Sequence, residues 1–178
     1  MKKVIVKCKV ASREKFEKKL SDIEMEFSPV YWQHDRVYVP KGYKRGINLP
    51  RLIMRTEMKA VDKPAKYVLL LKRHIEDSGI DISEETLIKD YSEMVNIILQ
   101  LGFKPQKEVS RRRQEIKMGE NTWMFLDNVD GTNGYFVKLE TKLEEGDSVE
   151  DVKDDLAKTL AIFGEKNRVE TSYSDIDF

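Results

Sequence analysis

The chain has 178 residues, 40% apolar and 36% charged, with 32 Lys and Arg balanced by 32 Asp and Glu. That length suits one domain, 1–178, with a core of its own, and zero net charge argues against a duplex nucleic-acid surface, so only local clustering of charge can point to a partner. A single cysteine excludes an intrachain disulfide, no apolar run approaches a membrane span, and no apolar segment follows the basic start, so the expectation is a cytoplasmic protein with no membrane partner.

"KVIVKCKV" alternates strictly and predicts a half-buried strand with Val4, Val6, Cys8 and Val10 on one face and Lys3, Ile5, Lys7 and Lys9 on the other. Cys8 sits on the apolar face and reads as a buried, inert thiol. Ser12 is placed to cap a helix with Phe16, Leu20 and Ile23 at helical spacing. "SPVYWQHDRVYVP" predicts β-structure around a turn, ended by Pro40 and Gly42, and "GYKRGINLP" predicts a basic loop. "RLIMRTEMK" and "AKYVLLLKRHI" are two strands joined through "AVDKP" as a hairpin. A short extended piece then precedes a helix with Met94, Ile97, Ile98 and Leu101 buried and Gly102 ending it. Three consecutive strands follow, "KEVSRRRQEIKMG", "NTWMFLDNVD" and "GYFVKLETKL", with turns at Gly119–Asn121 and Asp130–Gly134. Ser148 caps a final amphipathic helix with Val152, Leu156, Leu160 and Phe163 in its stripe, and a polar tail closes the chain. Seven or eight antiparallel strands with three helices make an α+β protein, and strands with charge on one face can curl into a barrel with a polar interior.

Phasing each strand by its apolar face groups the charge. Arg51, Ile53, Arg55 and Glu57 share a face, as do Val68, Leu70 and Lys72. Arg111, Arg113, Glu115 and Lys117 share another, and so do Phe136, Lys138, Glu140 and Lys142. If these faces converge, Lys7, Lys9, Arg55, Lys72, Arg111, Arg113 and Lys138 line one cavity. Such cation density repels itself unless an anion neutralises it, and polyphosphate fits the fork of Arg and the point charge of Lys. Alternation alone reads more readily as a set of solvated faces. His34 and His74 lie on separate segments and read as structural or exposed, Trp32 and Trp123 read as packing residues, and "SRRRQ" alternates faces, so it makes no duplex-binding patch.

The order of these segments resembles the CYTH family of triphosphate tunnel proteins, which includes class IV adenylyl cyclases, thiamine triphosphatases and inorganic triphosphatases. "VKCKVASREKFEKKL", "QHDRVYVPKG", "RLIMR", "VLLLK", "IILQLGFKPQKEVSRRRQEI", "FLDNVDG", "YFVKLET" and "TSYSDI" resemble successive family segments. The resemblance implies an antiparallel eight-stranded tunnel with flanking helices, holding a triphosphate or nucleotide among basic residues with one or two Mg²⁺ or Mn²⁺ ions on glutamates. By position Lys7, Arg55, Lys72, Arg111 and Arg113 match the basic phosphate ligands. Asp127 and Glu140 match the acidic residues that would hold metal and serve catalysis. The departures fall on those acidic motifs. The family's Glu-x-Glu-x-Lys is here Lys3-Val4-Ile5-Val6-Lys7, the late Glu-x-Glu is Lys138-Leu139-Glu140, and one expected arginine is Ile53. Mg²⁺ wants oxygen ligands, so Glu140 and Asp127, with Glu57 or Glu85 as helpers, are weak ground for two-metal catalysis. The expectation is a tunnel that binds a small anionic ligand, nucleotide or polyphosphate, with metal-dependent catalysis weak or lost. The alternative is an active metal-dependent triphosphatase or class IV-type adenylyl cyclase. Strand edges and the final helix are compatible with a homodimer.

Overall fold

The structure, a computed structural model, describes residues 2–44, 49–60, 62–75, 80–169 and 173; for 74, 75, 80 and 81 it describes backbone only. His74 and the parts of the "TSYSDI" segment other than Tyr173 therefore lie outside the described side chains. The elements are β1 (Lys2–Lys9), α1 (Arg13–Ser21), β2 (Tyr31–Val39), β3 (Arg51–Met58), β4 (Lys66–Ile75), β5 (Ile80–Ile88), α2 (Tyr91–Gln100), β6 (Lys104–Lys117), β7 (Thr122–Val129), β8 (Phe136–Lys142) and α3 (Val149–Ile162). The strands close a barrel in the order β1-β5-β4-β3-β2-β6-β7-β8, antiparallel throughout. No described helix is long and apolar enough to cross a membrane.

Alternation sorts the side chains between two environments. Val4, Val6 and Cys8 of β1 point outward with Met124, Leu126, Val137 and Leu139, and there they meet Phe16 and Leu20 of α1 and Leu156 and Leu160 of α3. Burying each such side chain stabilises the fold by ~1.5–3 kcal/mol. On the opposite flank α2 covers Tyr38 and Met54 with Ile98. The helices start where the capping residues stand: Ser12 accepts from the Lys15 amide, Asp90 from Glu93 and Ser148 from Asp151. Gly102 follows α2 at φ +85°, the left-handed stop expected of it.

Four local readings change. β2 is one continuous strand, because it is paired on both edges, with β3 and with β6. The piece before α2 is a full nine-residue strand, β5, which pairs along its length with β4. α1 ends at Ser21, leaving Ile23 outside it and 53% exposed. Only Ile98 of the α2 stripe is fully buried; Ile97 and Leu101 are 49% and 68% exposed, since the helix touches the barrel along a narrow line.

Among the described residues, Lys2, Lys3 and Val4 pair with Ile82, Asp81 and Ile80 to close the barrel between β1 and β5. Beyond them the tail takes over: the Val169 amide donates to the Lys7 carbonyl and the Lys9 amide to the Asn167 carbonyl, at 2.8 and 3.0 Å. The Tyr173 ring packs against Val109, Val129 and Phe136 inside the barrel.

Candidate functional site, an ionic network inside the barrel

Register decides what shares the lumen. Residues directly opposite in an antiparallel pair lie on one face. Lys7 stands opposite Lys138, and Lys138 opposite Phe125; Ile5 stands opposite Glu140, and Glu140 opposite Trp123. Arg113 faces Asp127 and Tyr31, Arg111 faces Gln33, and Asp35 faces Arg55. The charged faces of separate strands therefore meet inside one barrel.

Three buried carboxylates organise the cations. Asp35 accepts Arg55 through Nε and Nη2 at 2.7 and 2.9 Å, and Arg111 Nη2 at 2.6 Å. Gln33 fixes that arrangement: its Oε1 accepts from both Nε and Nη2 of Arg111, and its Nε2 donates to Glu57 at 2.7 Å. Asp127 accepts Nε and Nη2 of Arg113 at 2.6 and 2.7 Å and the Tyr173 hydroxyl at 2.8 Å. Glu140 is held by two lysines, Lys3 on Oε1 at 2.5 Å and Lys138 on Oε2 at 2.7 Å. Rings fill the gaps between charges. Phe125 lies under Arg113 and Lys138, at 4.5 and 4.4 Å from its centroid, and Tyr173 under Lys7 at 4.2 Å.

The protonation states follow from burial set against partners. Burial would raise the Asp35 carboxyl, but Arg111 and Arg55 hold it well below the usual carboxylate range. Burial opposed by Arg113 leaves Asp127 at about 2. Burial opposed by Lys138 and Lys3 likewise holds Glu140 well below that range. Lys138 goes the other way: burial lowers it, Glu140 offsets this in part, Arg113 and Lys72 add to it, and it settles at about 8. Burial likewise lowers Arg111 and raises the Tyr173 phenol.

Lys7, Arg55, Lys72, Arg111, Arg113, Lys138, Asp127 and Glu140 thus share the lumen face. Lys7, Arg111, Arg113, Asp127 and Glu140 are at most 9% exposed. Lys9 does not join them; it is exposed at the end of β1. Of the proposed acidic helpers, Glu57 is occupied by Gln33 and lies 3.9 Å from Lys66, and Glu85 is exposed. Trp32 lies on the outer face stacked on His34, whereas Trp123 is on the lumen face beside Glu140, half-buried rather than a packing residue of the core. Gln33, Asp35, Arg51, Phe125 and Tyr173 are buried or half-buried lumen residues that were not among the expected ligands. No alternation signal separates Gln33 and Asp35 from His34 and Arg36, because both faces of β2 carry polar residues.

These residues do not fit a divalent cation. Both oxygens of Glu140 already accept ammonium protons, and both oxygens of Asp127 accept from Arg113 or Tyr173. The side chain facing Glu140 across β1 is Ile5, and among the described residues no three His, Cys, Asp or Glu side chains converge on one point. A hard ion would have to displace two lysines and then sit beside them. For an anion the balance is reversed. Among the described residues, Lys3, Lys7, Arg55, Lys72, Arg111, Arg113 and Lys138 are set against Asp35, Asp127 and Glu140, with Glu57 and Glu115 at the margins, so cations remain in excess.

No curated protein matches the chain. Among solved structures it is similar to the PH1819 protein of Pyrococcus horikoshii OT3, at 21% identity and TM-score 0.82, covering 96% of this chain and 95% of that one. It is similar to a Vibrio parahaemolyticus protein provisionally assigned as an adenylate cyclase, at 18% identity and TM-score 0.80 over 97% and 95% of the two chains. It is also similar to HpAC1 of Hippeastrum, a provisional adenylyl cyclase reported with a dominant triphosphatase activity, at 15% identity and TM-score 0.61 over 98% and 93%. At these identities the likeness shows the shared barrel and nothing more. The family is shown by the sequence itself, whose residues 1–173 match the CYTH domain: the chain belongs to the CYTH domain family.

Proposed function

We propose that the barrel binds a phosphate-bearing anion, a triphosphate or a nucleotide, in its basic lumen, and that it does so without a resident metal, as a binding, sensing or sequestering protein. The observation that carries this reading is the Glu140 carboxylate clamped between Lys3 and Lys138. Lys3 and Lys138 stand where the family pattern places glutamates, so positive charge comes from side chains at the place where relatives would recruit it from an ion. Lysines neutralise phosphate but supply neither Lewis acidity nor a metal-activated water. The phosphate ligands of this reading are Lys7, Lys72 and Lys138, with Arg55, Arg111 and Arg113 behind them.

A second reading keeps metal-dependent hydrolysis or cyclisation, with Asp127 and Glu140 as the acidic residues. Membership of the CYTH family and the triphosphatase activity reported for HpAC1 favour it. Calorimetry of tripolyphosphate and ATP, with Mn²⁺ or with chelator, separates the two when paired with assays for phosphate and cyclic nucleotide. Binding that survives chelator, with no product, is the expected result. Product that appears only with Mn²⁺ and disappears in Glu140→Ala overturns it in favour of the enzyme.

A further inference from the structure

We propose that Trp123 sets the specificity of the lumen: it stacks on a neutral aromatic base at the mouth of the barrel, so that the anion taken is a purine nucleotide rather than bare polyphosphate. This rests on the reading of the lumen as an anion site, and names the group that the anion carries.

The first observation is the place of the ring. Lys117 is the last residue of β6, Trp123 the second of β7 and Lys142 the last of β8, so all three stand at one end of the barrel. Trp123 is on the lumen face, opposite Lys117 on one side and Glu140 on the other. Phe125, the next lumen-facing residue of β7, lies under Arg113 and Lys138 and is about 6.7 Å farther in, by the rise of two strand residues. A ribose bridges a similar gap between its base and its first phosphate. One nucleotide can therefore set its phosphates among the lumen cations and its base on Trp123.

The second observation is what the ring touches. The other tryptophan, Trp32, is stacked on His34 outside the barrel, with the two planes 4° apart. Among the described residues no aromatic ring stacks on Trp123, and no core cluster includes it, although it is half-buried. Its contacts are instead ammonium groups on flexible stems: Lys142 Nζ lies 5.1 Å and Lys117 Nζ 5.9 Å from the ring centroid. Such stems turn aside for a ligand where a packed ring would not.

Charge then decides which ring can stack. Lys117 and Lys142 repel a cationic ring such as the thiazolium of thiamine. Glu140, the carboxylate opposite Trp123, is already neutralised by Lys3 and Lys138 and offers that ring no counter-charge. A neutral purine meets no such repulsion, its ring nitrogens accept hydrogen bonds from the ammonium groups, and its π-face suits an indole.

Calorimetry in chelator compares ATP, tripolyphosphate and thiamine triphosphate on the full chain. Phosphate contacts alone favour tripolyphosphate, which carries more charge. The expected result is that ATP binds about tenfold tighter than tripolyphosphate, in the range one stacked base contributes, and that thiamine triphosphate binds no tighter than tripolyphosphate. Trp32→Phe leaves Trp123 as the one tryptophan, and ATP should quench its emission while tripolyphosphate does not. Trp123→Leu should lower the ratio of ATP to tripolyphosphate affinity about tenfold and Trp123→Phe should restore most of it; a ratio taken on one preparation does not depend on how much of the variant folds. ATP no tighter than tripolyphosphate, thiamine triphosphate as tight as ATP, or an unquenched Trp123 in a protein that binds ATP overturns the stacking and leaves the anion site standing. Binding of none of the three overturns the anion-site reading and this inference with it.

Discussion

Glu140→Gln separates a lysine clamp from a metal ligand. The substitution keeps the size of the side chain and removes its charge, leaving Lys3 and Lys138 facing an amide. Deleting one partner of a buried ion pair typically costs ~3–5 kcal/mol. Here the side chains of Glu140, Lys3 and Lys138 are 11%, 16% and 14% exposed, so water relieves part of the strain. We take ~2–3 kcal/mol, which for a chain of this size lowers the melting temperature by ~4–12 °C. The effect on ligand has the opposite sign. A phosphate entering the lumen competes with Glu140 for the two ammonium groups, and in the variant that competition is gone. Affinity for tripolyphosphate should rise about tenfold, equivalent to ~1.4 kcal/mol. Saturating ligand, at about a hundred times its Kd, should return ~2.7 kcal/mol and restore most of the lost melting temperature. The measurements are thermal unfolding and calorimetry, both in chelator. A variant that melts like the parent and binds tripolyphosphate more weakly would mean that the carboxylate helps the ligand, and the clamp argument would fail.

Lys138 gives a pH signature. It sits at about 8 when folded, among Glu140, Arg113, Asp127 and Lys72, against about 10.4 in an unfolded chain. Between these values the unfolded chain holds more protons, so stability without ligand should rise from pH 8 to 10 by up to ~3 kcal/mol, while tripolyphosphate affinity falls as the ammonium is lost. Flat curves in both assays refute this. At the acid end the lowered carboxyls of Asp35, Asp127 and Glu140 contribute stability that is complete above pH ~4 and lost as the pH falls towards 2, visible as a falling melting temperature. Lys3→Glu, Ile5→Glu and Lys138→Glu combined place three carboxylates beside Glu140 and should create a Mn²⁺-dependent rise in melting temperature that the parent lacks. Tyr173→Phe removes one hydrogen bond to Asp127 and leaves Arg113 in place, so its cost should stay near ~1 kcal/mol in thermal unfolding.

The barrel was legible because period-two alternation is strong in β1 and β8 and because the sequence carries helix boundaries, the N-caps Ser12 and Ser148 and the stop Gly102. The order of the segments then supplied the closure, which no single strand states. The outward faces were easy to read, since Val4, Val6 and Leu139 are apolar wherever a helix covers them. The inward face was harder. Burial against water normally removes charge from a sequence, but this lumen keeps charge by pairing it, so Asp35 and Arg113 look like surface residues until their partners are known. Asp127 pairs with Arg113 across a turn, 14 residues away, whereas Lys3 reaches Glu140 from 137 residues away. The lysine row of β1 was visible; that Lys3 and Lys138 close on the same carboxylate depends on strand register, which the pattern does not specify. Tyr173 was hidden for another reason: a polar tail gives no periodic signal, and its approach to the barrel follows from the backbone bonds of Asn167 and Val169 to Lys9 and Lys7.

The network also divides labour between two kinds of cation. Arg55, Arg111 and Arg113 each commit Nε and Nη2 to a carboxylate or to Gln33, which leaves Nη1 as the nitrogen not engaged by that partner. A planar fork used in this way is a structural brace, and a lysine cannot replace it. Lys138 and Lys3 hold Glu140 through single ammonium groups on flexible stems, which can turn to a phosphate without dismantling a bidentate pair. Arg113→Lys should therefore act mainly on folding. It breaks one of two hydrogen bonds to the fully buried Asp127, and should cost ~2–3 kcal/mol, with the loss in tripolyphosphate affinity confined to about threefold. Lys138→Met should act mainly on the ligand, weakening it by about tenfold or more, because Lys3 still pairs with the Glu140 carboxylate it leaves behind. If calorimetry and unfolding show Arg113→Lys losing ligand with its stability intact, the arginines are the phosphate's direct ligands and the lysines only its surroundings.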